Sequence, residues 1–172
     1  MADTLINKVA NSRLITFKLE EYWPTAPFAS LDLKDYLFME LMLKEKDFRE
    51  HLKAHDFSQY QDKCLLVFCS TDAIIPAWAF MLAAAAAAPF AMDTYLGSEA
   101  DYLRDHFRKV VAGLDLAAFS DQRVVVKGCG EKQVPASAYL DITARLQPVV
   151  KSIMYGEPCS TVPVFKRPMA RK

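Results

Sequence analysis

Through the middle of the chain, the pattern of hydrophobic and polar residues alternates between one typical of strands and one typical of helices. Short apolar runs that favour strands each precede a longer segment whose apolar residues have helical spacing. The predicted strands are 64–68 (CLLVF), 90–97 (FAMDTYLG) and 123–128 (RVVVKG), and the predicted helices are 76–88, 98–114 and 135–155. The last helix must kink or break at Pro148. This alternation predicts a mostly parallel sheet with right-handed crossovers and helices on both faces.

The two ends of the chain add elements to this core. Segment 14–24 (LITFKLEEYWP) alternates as a strand does and ends at a proline, and 31–57 has a mostly helical period. The last part of the chain contains three prolines after residue 157 and is expected to be extended. A chain of 172 residues fits one α/β domain, here in three layers. Its predicted parts are an N-terminal strand and long helix (1–60), a βαβαβα core (61–155) and an extended tail (156–172).

Composition and charge argue against a nucleic-acid-binding protein and against a membrane protein. Lysine plus arginine equals aspartate plus glutamate, at 21 each, so nucleic acid is not expected as a partner. The uncharged stretch 73–92 is interrupted by Pro76 and Pro89, whereas a membrane-spanning helix needs about 20 apolar residues. A buried alanine-rich helix is therefore expected, and no membrane association. The N-terminus has no apolar h-region, and four cysteines without a signal predict a protein of the reducing cytoplasm.

Three of the four cysteines share a local context, in which a strand or extended segment reaches the thiol and a proline follows. They are Cys69 in CSTDAIIP, Cys129 in CGEKQVP and Cys159 in CSTVP. Ligands bind beyond the carboxyl ends of parallel strands, and a helix N-terminus favours a thiolate, so we expect these three thiols to share one site. Cys64 precedes Cys69 by five residues, on the opposite face of the predicted strand, and is expected to be a core thiol.

Three thiolates predict a site for a soft metal. Zinc, copper(I) and an iron–sulfur cluster are the cofactors that such a donor set suits. A closed zinc site has a fourth protein ligand, and Asp72, Glu131 and Glu157 are close enough in sequence to supply it or to contact a ligand from outside. The first hypothesis is therefore an accessory protein, without catalytic activity, that holds a metal ion or cluster.

Two other functions fit the same residues. In one, a cysteine of low pKa is a nucleophile or carries sulfur as a persulfide, and Cys129 is the candidate because it lies between two glycines. In the other, the cysteines only pack, and the alanine-rich faces bind a partner or form a homodimer. Backbone N–H groups at Ser70 and Thr71 or at Gly130 could also hold an anion at a helix N-terminus. His51 and His55 lie one turn apart on a charged predicted helix, where surface histidines are expected.

Several long phrases of the sequence resemble one family. They are NKVANSRLITFKLEEYWP, LDLKDYLF, CSTDAIIPAWAF, VVVKGC, VPASAY and LQPVVKSIMYGEPCSTVP. On these phrases nearly the whole chain is similar to the uncharacterised family known as domain of unknown function 2480. The resemblance implies no activity and no ligand or catalytic residue, although Cys69, Cys129 and Cys159 all fall within its phrases. It implies an association with genes of sulfur mobilisation, and hence proteins of iron–sulfur cluster assembly as partners.

Overall fold

The computed structural model describes residues 14–128, 130–157 and 160–168 of the chain. Within them, four of the five strand ladders are parallel, so the predicted α/β class and the predominance of parallel strands are confirmed. The strands are β1 (Leu14–Phe17), β2 (Phe28–Asp32), β3 (Cys64–Phe68), β4 (Asp93–Leu96), β5 (Arg123–Val126), β6 (Ser152–Glu157) and β7 (Ser160–Lys166). The helices are α1 (Glu45–Ala54), α2 (Ala77–Ala87), α3 (Glu99–Gly113) and α4 (Ala136–Leu146).

Contacts along the chain define two compact units. Unit 1 comprises Met1–Trp23 and Leu103–Lys172, and unit 2 comprises Pro24–Tyr102. Each has its own sheet, in the order β1-β5-β6-β7 for unit 1 and β2-β3-β4 for unit 2. This division does not test the single domain expected over 1–172, which stays a prediction.

Unit 2 is built around the buried strand β3. This strand pairs in parallel with β2 on one side and β4 on the other, and its first four residues are buried, as its continuous apolar sequence predicts. In α2, Ala79, Ala83 and Ala87 recur every four residues and are fully buried, which places them on one face of the helix. One face of this alanine-rich helix therefore belongs to the core of the unit, whereas Ala85 and Ala88 of the alanine run are exposed. No helix in the described parts of the chain combines the length and apolarity needed to cross a membrane.

In unit 1, as in unit 2, three neighbouring strands are parallel. The fourth strand of the unit 1 sheet, β7, is antiparallel. β5 lies between β1 and β6, and Val124, Val125 and Val126 are buried. Apolar residues of α3 and α4 are buried at intervals of four, as in other amphipathic helices that cover a sheet. β7 runs antiparallel to β6 and makes the tail extended over Ser160–Lys166, as the prolines predict.

Two segments differ from the helices that the sequence predicts. Over 31–57, β2 ends at Asp32, and α1 begins only at Glu45. Between them Met39 and Glu40 have φ angles of 52° and 60°, which a right-handed helix cannot contain. Over 135–155, α4 ends at Leu146, just before Pro148, and the later residues form β6. The proline therefore ends the helix instead of kinking it.

Candidate functional site

Cys69 lies directly after β3, at the carboxyl edge of the unit 2 sheet. Its thiol is half-buried, and its Sγ lies 3.2 Å from the Thr71 hydroxyl. Asp72, a candidate fourth ligand, is exposed in the same connection. Cys64, at the start of β3, is only 2% exposed and donates a hydrogen bond to the Tyr102 hydroxyl at 3.5 Å. Cys64 is therefore a core thiol, as expected.

A carboxylate that the sequence analysis missed organises the same edge. Asp32 ends β2, and its Oδ1 accepts hydrogen bonds from the backbone N–H groups of Ser70 and Lys34, both at 3.0 Å. Partial burial acts to raise the pKa of this carboxyl, but the hydrogen bonds from Ser70 and Lys34 outweigh it and lower the pKa. The Ser70 N–H, expected to hold an anion, thus binds a side chain of the protein itself. No sequence signal indicated Asp32, because β2 itself was not recognised.

In unit 1 the corresponding edge is organised by a lysine. Lys127 follows β5, and its Nζ lies 3.7 Å from Glu20 Oε1 and 3.7 Å from Glu157 Oε1. Glu20 belongs to the turn after β1, and Glu157 is the last residue of β6. The Lys127 side chain is 26% exposed. One ammonium group therefore links the ends of three neighbouring strands.

The two glycines around Cys129 are needed for close packing. A Cβ atom on Gly128 would overlap the ring of Tyr155, and one on Gly130 would overlap the carboxylate of Glu20. The Tyr155 hydroxyl also donates a hydrogen bond of 3.4 Å to the Gly128 carbonyl. Both glycines therefore make room for side chains of unit 1.

Cys129 and Cys159 lie outside the described residues, so a site shared by three thiols stays a prediction. Glu131 is exposed and lines a cleft of about 450 Å³ at the edge of unit 1. Three lysines and three glutamates line this cleft, so its charges balance: Lys18, Lys127, Lys132, Glu20, Glu21 and Glu131. Over 14–128, 130–157 and 160–168, no group of three or more histidine, cysteine, aspartate or glutamate residues could hold a metal ion.

His55 is a second feature that the sequence analysis missed. His51 is exposed, as expected, but His55 is half-buried just after α1. Its Nδ1 lies 3.0 Å from the Tyr36 hydroxyl and its Nε2 lies 2.9 Å from the Tyr60 hydroxyl. Burial raises the pKa of both tyrosines. The two partners come from separate turns, so helical spacing alone could not reveal this arrangement.

Comparison with known proteins identifies the family. A family model described as "Protein of unknown function (DUF2480)" matches residues 3–167. The chain belongs to this family. The match confirms the resemblance seen in the sequence phrases and covers both units. No curated protein and no solved structure matches the chain. Because the DUF2480 description states no activity, the function has to be inferred from the sites themselves.

Proposed function

We propose that this DUF2480 protein is a non-enzymatic accessory protein that binds zinc, copper(I) or an iron–sulfur cluster. In this proposal the ligands are the thiolates of Cys69, Cys129 and Cys159, which match the soft metals in chemistry. The role in iron–sulfur cluster assembly, with assembly proteins as partners, rests on the association that the family resemblance implies.

One observation about the flanking residues supports the proposal most strongly. Lys127 and Glu157 form an ion pair of 3.7 Å, and each lies two residues before a cysteine of the proposed site. Two residues of extended chain span at most about 7 Å. The hydrogen bond from Tyr155 to Gly128 ties the same two segments together. This proximity of the flanking segments supports the proposal that Cys129 and Cys159 bind a single ion.

Three carboxylates of this edge bear on the choice between a metal and a nucleophilic thiol. Glu20 is packed against Gly130, Glu131 follows Gly130 in sequence, and Glu157 lies at the end of β6. Carboxylates near a thiol disfavour its thiolate form unless a cation compensates them, and Lys127 is already shared between two of them. Lys18 and Lys132 also line the cleft, and a bound metal cation would add positive charge next to its carboxylates.

The contribution of Cys69 is supported by its own surroundings. Its thiol is half-buried at the carboxyl edge of a parallel sheet, where ligands bind in folds of this class. The hydroxyl of Thr71, 3.2 Å from Sγ, is a weak partner that a metal ion would displace at small cost. Asp72 is exposed three residues after Cys69 and is the candidate fourth ligand from this segment.

The test is the metal and acid-labile sulfide content after oxygen-free purification, for the native chain and for four single Cys→Ser variants. We expect stoichiometric metal that is lost in Cys69→Ser, Cys129→Ser and Cys159→Ser. Cys64→Ser is the matched control, because that thiol is buried and bonded to Tyr102, and it should keep the metal. Circular dichroism of each variant separates loss of metal from loss of fold.

Two results would overturn the proposal. Metal retained by Cys69→Ser but lost from the other two variants would reduce the site to Cys129 and Cys159, without the third thiol. Absence of metal and sulfide from every sample would exclude the metal site. In that case alkylation rates would separate a single fast nucleophile, with Cys129 as the candidate, from thiols that only pack.

A further inference from the structure

We propose that unit 1 contains a second binding site, for an organic phosphate with an apolar body, at the amino ends of β5 and β6. The site is a cleft of about 620 Å³, a size typical of small-molecule sites. Arg123, the first residue of β5, lines it, whereas Lys127 lies beyond the other end of the same strand. The proposal does not depend on the cysteines.

The positive charge of the cleft is the first reason for this assignment. Four cations and no carboxylate line it: Arg123, Lys151, Lys166 and Arg167. Arg167 is neutralised, because its Nη1 lies 2.6 Å from Asp121 Oδ1. The other three form no ion pair with a carboxylate of the described residues. In a chain of zero net charge, about three uncompensated positive charges in one cleft favour a phosphate over a single carboxylate.

The register of the sheet arranges two of these cations around a hydroxyl. Arg123 of β5 pairs with Ser152 of β6, and Ser152 pairs in turn with Lys166 of β7. Residues directly opposite each other project from the same face of a sheet. Neighbouring strands lie about 4.8 Å apart, so the Cα atoms of Arg123 and Lys166 are about 10 Å apart with Ser152 between them. A phosphate group above Ser152 would therefore meet a cation on either side.

The backbone holds the remaining basic segments in place. The Lys151 N–H donates a hydrogen bond of 2.7 Å to the Gln122 carbonyl, and the Arg167 N–H donates one of 2.8 Å to the Lys151 carbonyl. Arg167 is further fixed by Asp121. The backbone of these basic residues is therefore held in place before an anion binds. Binding then costs less conformational entropy than it would if the backbone were also mobile.

The apolar part of the lining indicates an organic ligand instead of free phosphate. Pro163 of β7 and Met154 of β6 provide a hydrophobic surface beside the cations. Met154 lies two residues after Ser152 and pairs with Pro163, so both are on the same face as the cations and can contact an apolar body such as a nucleotide base. A cleft of this size fits a nucleotide-sized molecule better than the extended backbone of a nucleic acid.

The test is calorimetric titration of the full chain with AMP and ADP, with adenosine and inorganic phosphate as partial ligands. We expect the nucleotides to bind at least about tenfold more tightly than either partial ligand, because both halves of the cleft contribute. Arg123→Gln and Lys166→Gln should each weaken nucleotide binding by about tenfold or more. Lys46→Gln, on the exposed side of α1 in unit 2, removes the same charge elsewhere and should change nothing.

Several results would overturn this site. They are no binding of AMP or ADP, equal binding of inorganic phosphate, equal loss in Lys46→Gln and Arg123→Gln, or binding of a hexaglutamate peptide in preference to the nucleotides. The last would indicate an acidic protein segment as the occupant. Cys129→Ser should bind AMP like the native chain, so failure of the metal proposal and failure of this one remain distinguishable.

Discussion

At the carboxyl edges of the two sheets, side chains of opposite charge link the segments that follow neighbouring strands. In unit 2 a carboxylate, Asp32, ends a strand and accepts N–H groups of two connections. In unit 1 an ammonium group, Lys127, follows a strand and lies between two carboxylates. The unit 2 edge is held by hydrogen bonds of 3.0 Å, and the unit 1 edge by looser ion pairs of 3.7 Å. Hydrogen bonds to backbone N–H groups and ion pairs between side chains are thus two ways to hold together the carboxyl edge of a parallel sheet.

The difference indicates where a ligand would be accommodated. At the unit 2 edge the Ser70 N–H that an external anion would need is occupied by Asp32. At the unit 1 edge a charged cleft remains beside the close contact of Gly130 with Glu20. An external anion therefore has no free N–H group at Ser70, whereas the unit 1 edge keeps a cleft lined by charged side chains.

The largest effect should come from a glycine of the unit 1 hairpin. Gly156 has a φ of 125°, and a Cβ atom there would lie 2.5 Å from the Ser160 carbonyl oxygen. Gly156→Ala should therefore lower the free energy of unfolding by about 2–3 kcal/mol, measured by urea denaturation, with faster hydrogen exchange in β6 and β7. Gly113→Ala is the control, because nothing lies within 4 Å of its Cβ position. Equal stability of the two variants would contradict this account of the hairpin.

An intermediate effect is expected at the carboxylate of unit 2. Asp32→Ala leaves two backbone N–H groups without their acceptor and should cost about 1–3 kcal/mol at pH 7. Because the folded pKa of Asp32 is lowered, its ionisation stabilises the fold above the ordinary pKa of about 3.9. This contribution is lost as the pH falls below that value and through the lowered pKa of the folded state.

Asp32→Asn tests the sign of this dependence. Its free energy of unfolding should change less than that of the native chain between pH 5 and pH 2, as followed by urea denaturation at each pH. Asp35→Asn, an exposed carboxylate three residues away, is the matched control and should follow the native curve. If both variants behave alike, the hydrogen bonds of Asp32 do not control the acid stability of unit 2.

The smallest effect should come from the ion pairs of unit 1. Lys127→Gln removes two pairs of 3.7 Å at a site about a quarter exposed, so the loss should not exceed about 1 kcal/mol. It should shrink in about 1 M salt, where the Debye length is about 3 Å. Arg49→Gln, which breaks one exposed pair with Glu45, provides the comparison and should cost less. A loss at Lys127 that salt leaves unchanged would indicate packing instead of charge.

Sequence patterns predicted the elements that are long or continuously apolar. β3 and β5 were evident as apolar runs, and α2 and α3 lie within one or two residues of their predicted bounds. β2 and β6 were missed because neither is continuously apolar and each adjoins a segment with helical spacing. Without these two strands, the remaining elements suggest one sheet, whereas the residues that the structure describes form two.

The sites depend on pairings that local patterns do not contain. Alternation within one strand correctly separated Cys64 from Cys69, because that argument needs only neighbouring residues. The meeting of Glu20 with Lys127 requires β1 to pair with β5, and that of Lys127 with Glu157 requires β5 to pair with β6. Charge alone could not select these three residues from the 42 charged ones in the chain, 21 of each sign.

The pairing of β1 with β5 also has a consequence during synthesis. Leu14 pairs with Arg123, and all of unit 2 lies between them in the sequence. At about 5–20 residues per second, the ribosome makes β5 on the order of 10 seconds after β1. Unit 2 is complete by then and can form its sheet from contiguous residues, while the first strand of unit 1 still waits for its neighbour. The order of translation thus lets the sheet of unit 2 form before the sheet of unit 1.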